Sequence, residues 1–381
     1  MRTYLIGAAA LAAAALAAAG ARAQSDNVWR VGQISPMTGP AASIGGHQVT
    51  IFKWWVDETN RAGGIKGRTI ELTVCNDENN PEKAVACARD MLAKKPVMLM
   101  LATLTASVRA VMSLLPNGPV AIVASPNIVP APDSFVFQTS PTPDDLNNAI
   151  ADALLANGHR KFGMIAATDA SGEVNVESAN RIFPKRGIET VLQRIDLRAT
   201  DASAQLARMA GADIPLIYST YSGRGAATVV KSYYNLGLDK PMLVNFANTS
   251  MAFIAEIKDV MPKRLLGLTF RAAVPELVKD PADRARANAF KTAYEKFFQG
   301  EHVDELAVLM QFQGDALGAV LRNVADPTDP KAVKQYLETT PIRGVQTLRW
   351  SAQNHVALGS SDTIMVEHRG GVWAAADPLR K

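Results

Sequence analysis

Apolar residues along this chain fall into short β-rich runs that alternate with segments of helical spacing, and turn residues separate the two. That alternation is the pattern of parallel sheets covered by helices on both faces, so an α/β fold is expected. The first strand is predicted over Val28 to Ser35. Pro36-Met37-Thr38-Gly39-Pro40 turns away from it, and the next segment sets Ile51, Trp54, Trp55 and Glu58 at helical spacing. Asn60-Arg61-Ala62-Gly63-Gly64 ends that helix with glycine chemistry. Trp54 and Trp55 are neighbours, so at most one faces the core, and helix packing accounts for them better than ligand binding. Further strands are expected at Ile70 to Cys75, Val97 to Leu101, Val120 to Val123 and Ser134 to Thr139, with a helix starting after Asn80-Pro81.

The series restarts after Pro141-Thr142-Pro143, which predicts a lobe boundary. Helices follow over Asp144 to Asn157, Val174 to Arg186, Ala202 to Ala210 and Gly225 to Leu236. Strands interleave with them at Lys161 to Ala166, Glu189 to Arg194, Ile214 to Ser219, Met242 to Phe246 and Leu265 to Phe270. Beyond Val274-Pro275 the pattern turns helical, over Asp283 to Phe298, Leu306 to Val324 and Pro330 to Thr339. Two extended segments, Gln346 to Trp350 and Thr363 to His368, come last.

The N-terminus adds a destination. Arg2 precedes an apolar stretch from Tyr4 to Ala19, and Gly20-Ala21-Arg22-Ala23 supplies small residues where a signal peptidase cuts. A signal peptide cleaved after Ala23 is expected, because the stretch is alanine-rich and short for a bilayer span. No cysteine lies at that site to carry a lipid, so the mature protein is expected free in the periplasm. Removing 23 residues leaves about 358, more than one core usually organises, which points to two domains. The net charge of +4 is spread among acidic residues with no basic run, so a nucleic-acid partner is excluded.

Cys75 ends a strand and Cys87 lies in the helix that packs back on it, so an oxidising compartment lets them pair as a disulfide. A metal site on two cysteines with no nearby histidine is not expected. The five histidines lack any paired metal spacing, and no G-x-S-x-G elbow occurs. Gly223-Arg224-Gly225 falls short of a dinucleotide fingerprint. Neither an enzyme nor a cofactor is indicated, and His47, after Gly45-Gly46, is assigned a structural or capping role.

Ligands of open parallel sheets sit beyond the carboxyl ends of strands, where loops and helix starts expose N–H groups. Three such loops are rich in small hydroxyl or amide residues: Ala102 to Ser107, Ala124 to Asn127, and Ser219 to Gly223. Donors of this kind hold a carboxylate without a formal cation. Any one loop alone is equally well explained by ordinary helix capping.

Taken in order, the segments resemble the type I periplasmic binding proteins of the branched-chain amino acid (Leu/Ile/Val) transport family. The carriers are Val31-Gly32 with Ser35 to Pro40, Asn60 to Gly67, Asn76-Asp77 with Asn80 to Val85, Asn235-Leu236-Gly237-Leu238, and Gly344 to Trp350. The resemblance implies two doubly wound α/β lobes joined by three crossing strands, near Gln138 to Pro143, Phe270 to Pro275 and Arg349 to Gln353. The N-terminal lobe would comprise 24–141 plus 274–350, and the C-terminal lobe 142–273 plus 351–381. It further implies closure of the lobes over a small carboxylate, delivery to the permease subunits of an ABC importer, and a monomer. A periplasmic sensor docking on a signalling membrane protein is the alternative on the same fold.

Carried over by position, Thr105 resembles the hydroxyl residue that binds the ligand carboxylate, with Thr103 in the same loop, Ser125 giving backbone contacts and Asn127 standing where threonine is frequent. The second lobe supplies Tyr221. Ile44 replaces an aromatic that usually lies against the ligand, and Ser171 falls where a tyrosine is usual. Amino-acid binders of this family place an acid after the strand at Met242 to Phe246, whereas this chain has Asn245-Phe246-Ala247-Asn248-Thr249. A buried ammonium without a counter-ion is costly, so a ligand lacking an α-amine, an aromatic or keto acid, is preferred to a branched-chain or other amino acid, which stays the alternative, with Asn245 and Phe246 as the wall. Asp169 and Glu173 are the available substitutes for the missing acid. Arg109 and Arg224 lie near the site loops but are expected to face solvent.

Overall fold

A computed structural model describes residues 27–375, apart from 40, 197, 223 and the side chain of Arg224. The expected signal peptide and its cleavage after Ala23 lie outside the described residues. The first sheet contains β1 (Val28–Ser35), β2 (Thr69–Asn76), β3 (Met98–Leu101), β4 (Val120–Val123) and β5 (Val136–Gln138) in the order β2-β1-β3-β4-β5. All its pairings are parallel. Strands β3 and β4 are wholly buried, as continuous apolar runs covered on both faces must be. The covering helices are α1 (Ala42–Arg61), α2 (Pro81–Ala93) and α3 (Thr105–Met112). Helix α2 begins where Asn80 accepts hydrogen bonds from Glu82 N and Lys83 N ahead of Pro81, and its Cys87 is disulfide-bonded to Cys75 of β2.

After β5 the chain passes over 139–142 into α4 (Pro143–Ala156), which opens with a capping box between Thr142 and Asp145. A second sheet then builds from β6 (Lys161–Ala167), β7 (Glu189–Ile195), β8 (Ile217–Ser219), β9 (Met242–Val244) and β10 (Leu265–Phe270). Its helices are α5 (Ala170–Ile182), α6 (Ser203–Ala210), α7 (Arg224–Asn235) and α8 (Met251–Ile257). The chain next crosses back over 271–280, and α9 (Pro281–Phe297), α10 (Glu305–Asn323) and α11 (Pro330–Thr339) return to the first sheet. There α10 lies along α1 and α11 meets β4. A two-stranded ribbon, β11 (Ile342–Arg343) with β12 (Thr347–Leu348), leads over 349–362 into β13 (Thr363–Arg369) and β14 (Val372–Ala375). These last two strands pair antiparallel at the edge of an otherwise parallel sheet, whose order is β14-β13-β10-β9-β8-β6-β7.

Two of the passages between the sheets run side by side. Gln138 N donates to His355 O at 2.8 Å, Ala357 N donates to Gln138 O at 3.0 Å, and the Trp350 indole N–H reaches that same carbonyl at 2.9 Å. His355, fully buried, stacks on Phe137 at 4.0 Å between ring centroids and holds Glu338 at 3.0 Å through Nε2.

The α/β class and its two doubly wound sheets agree with the sequence expectation. Strands β1, β4 and β10 and helix α11 keep their expected limits. Four elements escape the pattern: α3, α8, β11 and β14, of eight, seven, two and four residues, are short and give only a weak periodic signal. The helix expected to run to Arg186 stops at Ile182, and Pro184, which has no N–H for a helical bond, opens a 3-10 turn instead. The strand expected to reach Phe246 ends at Val244, because Asn245 turns the chain by accepting from Ala247 N at 3.0 Å. The extended segment at Gln346 to Trp350 pairs only at Thr347 and Leu348.

Candidate functional site

Each sheet reverses its order of winding once, between β1 and β3 in the first and between β6 and β8 in the second. Loops splay apart at such points, leaving a crevice beyond the carboxyl ends of the strands. The two crevices face each other across a cavity that is partly open to solvent. The first-sheet side supplies Pro36, Ile44, Gln48, Ala102 to Leu104 and Ala124 to Asn127, and helix α10 adds Glu305, Leu306 and Leu309. The second-sheet side supplies Ala167, Asp169, Ser171, Thr220 to Ser222, Asn245 and Ala247. Two glycines make the walls this close. A Cβ on Gly45 would stand 2.4 Å from Pro36 O, and one on Gly172 would stand 2.0 Å from Ala167 O, so only glycine lets α1 and α5 begin against those loops.

Seven of the nine residues singled out from the sequence line this cavity: Ile44, Thr103, Ser125, Asn127, Ser171, Tyr221 and Asn245. The other two do not. Thr105 is buried beside it and exchanges a hydrogen bond with Ser171 at 2.9 Å, Oγ to Oγ, so its hydroxyl joins the two sides. Phe246 points away from the cavity into the core, edge-on to Phe270 at 4.8 Å, and Phe270 in turn packs edge-on to Phe312 at 4.9 Å. The turn at Asn245 thus presents Ala247 to the cavity in its place, which corrects the expectation of a Phe246 wall. Arg109 is exposed on α3, and the side chain of Arg224 lies outside the described residues.

Hydrogen-bond accounting separates polar groups already spent from those left over. Thr103 donates its hydroxyl to Asp77 at 2.5 Å, and Asn245 donates to Thr220 O at 2.9 Å. The Tyr221 hydroxyl donates to Ile195 O, and burial pushes its phenol up from the ordinary tyrosine range, so it faces the cavity as a neutral ring. Asp169 caps α5 by accepting from Gly172 N at 2.9 Å, while Glu173, its alternative as a substitute acid, pairs with Arg194 instead. On the other side, Ser125 Oγ only accepts, from Asn127 N at 3.4 Å, leaving its O–H to donate. The Asn127 carbonyl accepts from Asn175 at 3.2 Å, leaving its amide N–H₂. Gln48, 5 % exposed, makes no hydrogen bond among the described residues, and no side chain caps the start of α3.

Glu305 and Gln48 were missed in the sequence, and neither sits in a recognisable motif. Glu305 opens α10 and is 1 % exposed, and burial followed by the nearby Asp304 pushes its carboxyl well above the usual carboxylate range. Asp304, the N-cap of α10, accepts from Ala307 N at 2.8 Å and from Met251 N of α8 at 2.8 Å, a second bridge between the two sides. His47 stands behind it, Nε2 3.7 Å from Asp304 and 3.8 Å from Glu301. Burial pulls that imidazole down, and the two acids outweigh it and hold its pKa up. The structural role expected of His47 agrees with this position, outside the cavity lining.

Two facing crevices of this kind lead to a comparison with known proteins. A family model described as periplasmic binding protein matches residues 28–370. The chain belongs to that family. Among curated periplasmic binding proteins, Leu/Ile/Val-binding protein homolog 3 of Brucella melitensis is 25% identical over 195 residues, 49% of this chain and 53% of that protein. BraC3, a Leu/Ile/Val-binding protein of Rhizobium johnstonii, is 34% identical over 62 residues, 16% of this chain and 17% of that protein. The chain thus spans about half the length, or less, of the curated relatives it matches. Solved structures share the periplasmic binding protein fold over nearly the whole chain. An extracellular ligand-binding receptor from Rhodopseudomonas palustris superposes with a TM-score of 0.81 at 18% identity, covering 92% of this chain and 99% of that one. LivJ from Streptococcus pneumoniae, in complex with isoleucine, gives a TM-score of 0.76 at 16% identity, covering 91% and 98%. A solute-binding protein of an R. palustris ABC transporter, in complex with benzoate, gives 0.75 at 22% identity, covering 91% and 95%. The family is one of ligand-binding proteins, in keeping with the motif order.

Proposed function

We propose that the chain is the periplasmic solute-capturing component of an ABC importer and holds a small organic carboxylate that lacks an α-amine. The observation that carries this reading is the cavity itself: uncharged donors converge with apolar side chains between two sheets that touch across it. The unspent donors of Gln48, Ser125 and Asn127, with the uncapped N-terminus of α3, suit a carboxylate. Ile44, Leu306, Leu309, Pro126 and Ala247 suit an apolar body, as in an aromatic or branched keto acid.

Of the two acids on the cavity wall, Glu305 is buried where the charged form is disfavoured, and Asp169 shares its carboxylate with the N-terminus of α5 through Oδ1, which makes it a weaker counter-ion for an ammonium than a free acid. The bonds Thr105 to Ser171, Asn175 to Asn127 and Met251 to Asp304 join parts of the chain that approach only when the two sides meet. Ligand contacts made on both sides therefore favour the shut form, and the permease reads occupancy as shape. The lobes of this clamp are 24–141 plus 274–350 and 142–273 plus 351–381, the chain works as a monomer, and the signal peptide is removed after Ala23.

A thermal-shift panel of benzoate, a branched 2-oxo acid and isoleucine tests the reading. An acid at 100 times its Kd is expected to add about 2.7 kcal/mol of stability. A shift by isoleucine alone would overturn the preference for an amine-free acid, and no shift by any of the three would overturn the carboxylate reading.

A further inference from the structure

We propose that Glu305 is the acid-recognition group of the cavity, donating its carboxyl O–H to an oxygen of the captured carboxylate; this rests on the carboxylate reading above. Three observations converge on it. Glu305 lines the cavity, it is 1 % exposed, and its Oε2 is buried without any hydrogen-bond partner. A buried polar atom left unpaired in a folded protein is costly and implies a missing partner. No lysine, arginine or histidine lines the cavity among the described residues, so an ionised Glu305 would be a buried charge without a counter-ion. The group therefore keeps its proton, in keeping with the upward displacement of its pKa by burial. A protonated carboxyl gives a carboxylate a short charge-assisted O–H···O bond, and the pair shares a single proton.

Its charged and titratable surroundings are few. Asp304 precedes it as the N-cap of the same helix, and behind Asp304 stand His47 of α1, Tyr294 near the end of α9 and Glu301 in the loop that follows it. Asp169 faces the cavity from the opposite side. His47 is the only cation among them when protonated, and it faces Asp304 and Glu301 rather than the cavity. Capture of an acid is thereby proton-linked: affinity is highest while Glu305 holds its proton. Above the pH at which the empty protein loses that proton, affinity falls by up to about tenfold per pH unit.

Calorimetry with benzoate, a branched 2-oxo acid and isoleucine from pH 5.5 to 9, in buffers of different ionisation enthalpy, tests this on the full mature chain. For each acid that binds the wild type, Glu305→Gln is expected to stay within about threefold of it at pH 6, since an amide still donates, and to lose the pH slope. Glu305→Ala is expected to bind at least tenfold more weakly, and His47→Gln to keep the wild-type slope. Melting curves of each variant separate loss of binding from loss of folding, and the isosteric Gln variant carries the test should the Ala variant fail to fold. If an acid binds and both Glu305 variants match the wild type at every pH, or His47→Gln removes the slope, the Glu305 assignment falls and the carboxylate reading stands. If isoleucine alone binds, releases a proton, and is lost from Glu305→Gln by 100-fold or more, Glu305 is an ammonium counter-ion and the proposal is overturned. If nothing in the panel binds the wild type, the carboxylate reading itself falls.

Discussion

The two sides of the cavity use the same residue types for different ends. On the first-sheet side, Gln48, Ser125, Asn127 and Glu305 face the cavity with donors the protein does not use. On the second-sheet side, Tyr221, Asn245 and Asp169 face it with groups already bonded to Ile195, Thr220 and Gly172. The difference divides the wall: unspent donors gather on the first-sheet side, whereas most polar groups of the second are bonded within the protein, which under the proposed function makes the first the recognising side. The first side also carries the covalent staple, Cys75 to Cys87, that ties β2 to α2.

The sharpest way to break this comparison is to remove donors from one side at a time. Ser125→Ala with Asn127→Ala is expected to weaken capture of an acid by about 100-fold, roughly 3 kcal/mol for two hydrogen bonds to a charged group. Ser222→Ala, on the other side, is expected to change it by less than about threefold, roughly the low end of a neutral hydrogen bond. Equal losses, measured by calorimetry, would erase the asymmetry.

The staple gives the next largest effect, on stability alone. Replacing Cys75 and Cys87 by serine is expected to lower the free energy of unfolding by about 2–3 kcal/mol, read by denaturant titration, with the Kd of the isolated folded protein unchanged. A change in Kd would mean that the rigidity of the first side matters to recognition more directly than its donors do.

Closure is the subject of Thr105→Val, which keeps the shape and deletes the hydroxyl that meets Ser171. Roughly 1 kcal/mol of the shut form is lost, so affinity is expected to fall about fivefold. Small-angle scattering of the ligand-saturated protein should still show the compact form. A loss of 100-fold would instead make Thr105 a ligand contact, as its position in the sequence implies.

The smallest effect lies within the second side, where Arg181 of α5 and Ser178 bond Asp144 of α4. Burial pushes the Asp144 carboxyl up, but these partners outweigh it and hold it below its ordinary range. A carboxyl depressed in the folded state stabilises the protein above its unfolded pKa, and that stabilisation disappears as pH falls through the folded value. Arg181→Gln is therefore expected to cost about 0.5 kcal/mol at neutral pH, discounted for solvent screening. The gap from wild type should close below about pH 3 in acid titrations of stability, the lower end of the carboxylate range.

Seven of the nine residues singled out from the sequence line the cavity, and the placement of the other two has local causes. Seven expected residues face the cavity because loops beyond strand ends must converge at the points where winding reverses. Phe246 failed because one hydrogen bond, from Ala247 N to Asn245, ends β9 two residues early and rotates the aromatic into the core. Thr105 lies beside the cavity, where its hydroxyl meets that of Ser171, 66 positions away in sequence. Glu305 was invisible for a related reason. An acid at the start of an apolar helix looks like ordinary first-turn chemistry until the neighbours that bury it are known.

The alternation of the longer strands and helices, the two-sheet architecture, the pairing of the two cysteines and the family were legible in the sequence alone, since periodicity, turn chemistry and motif order act over short stretches of chain. Which donors remain unspent, which acid is buried on the cavity wall, and which side chains face the cavity were decided only by the tertiary structure. Whether a hydroxyl is free or a carboxyl charged depends on partners and burial brought from tens to hundreds of residues away, and no local pattern encodes them.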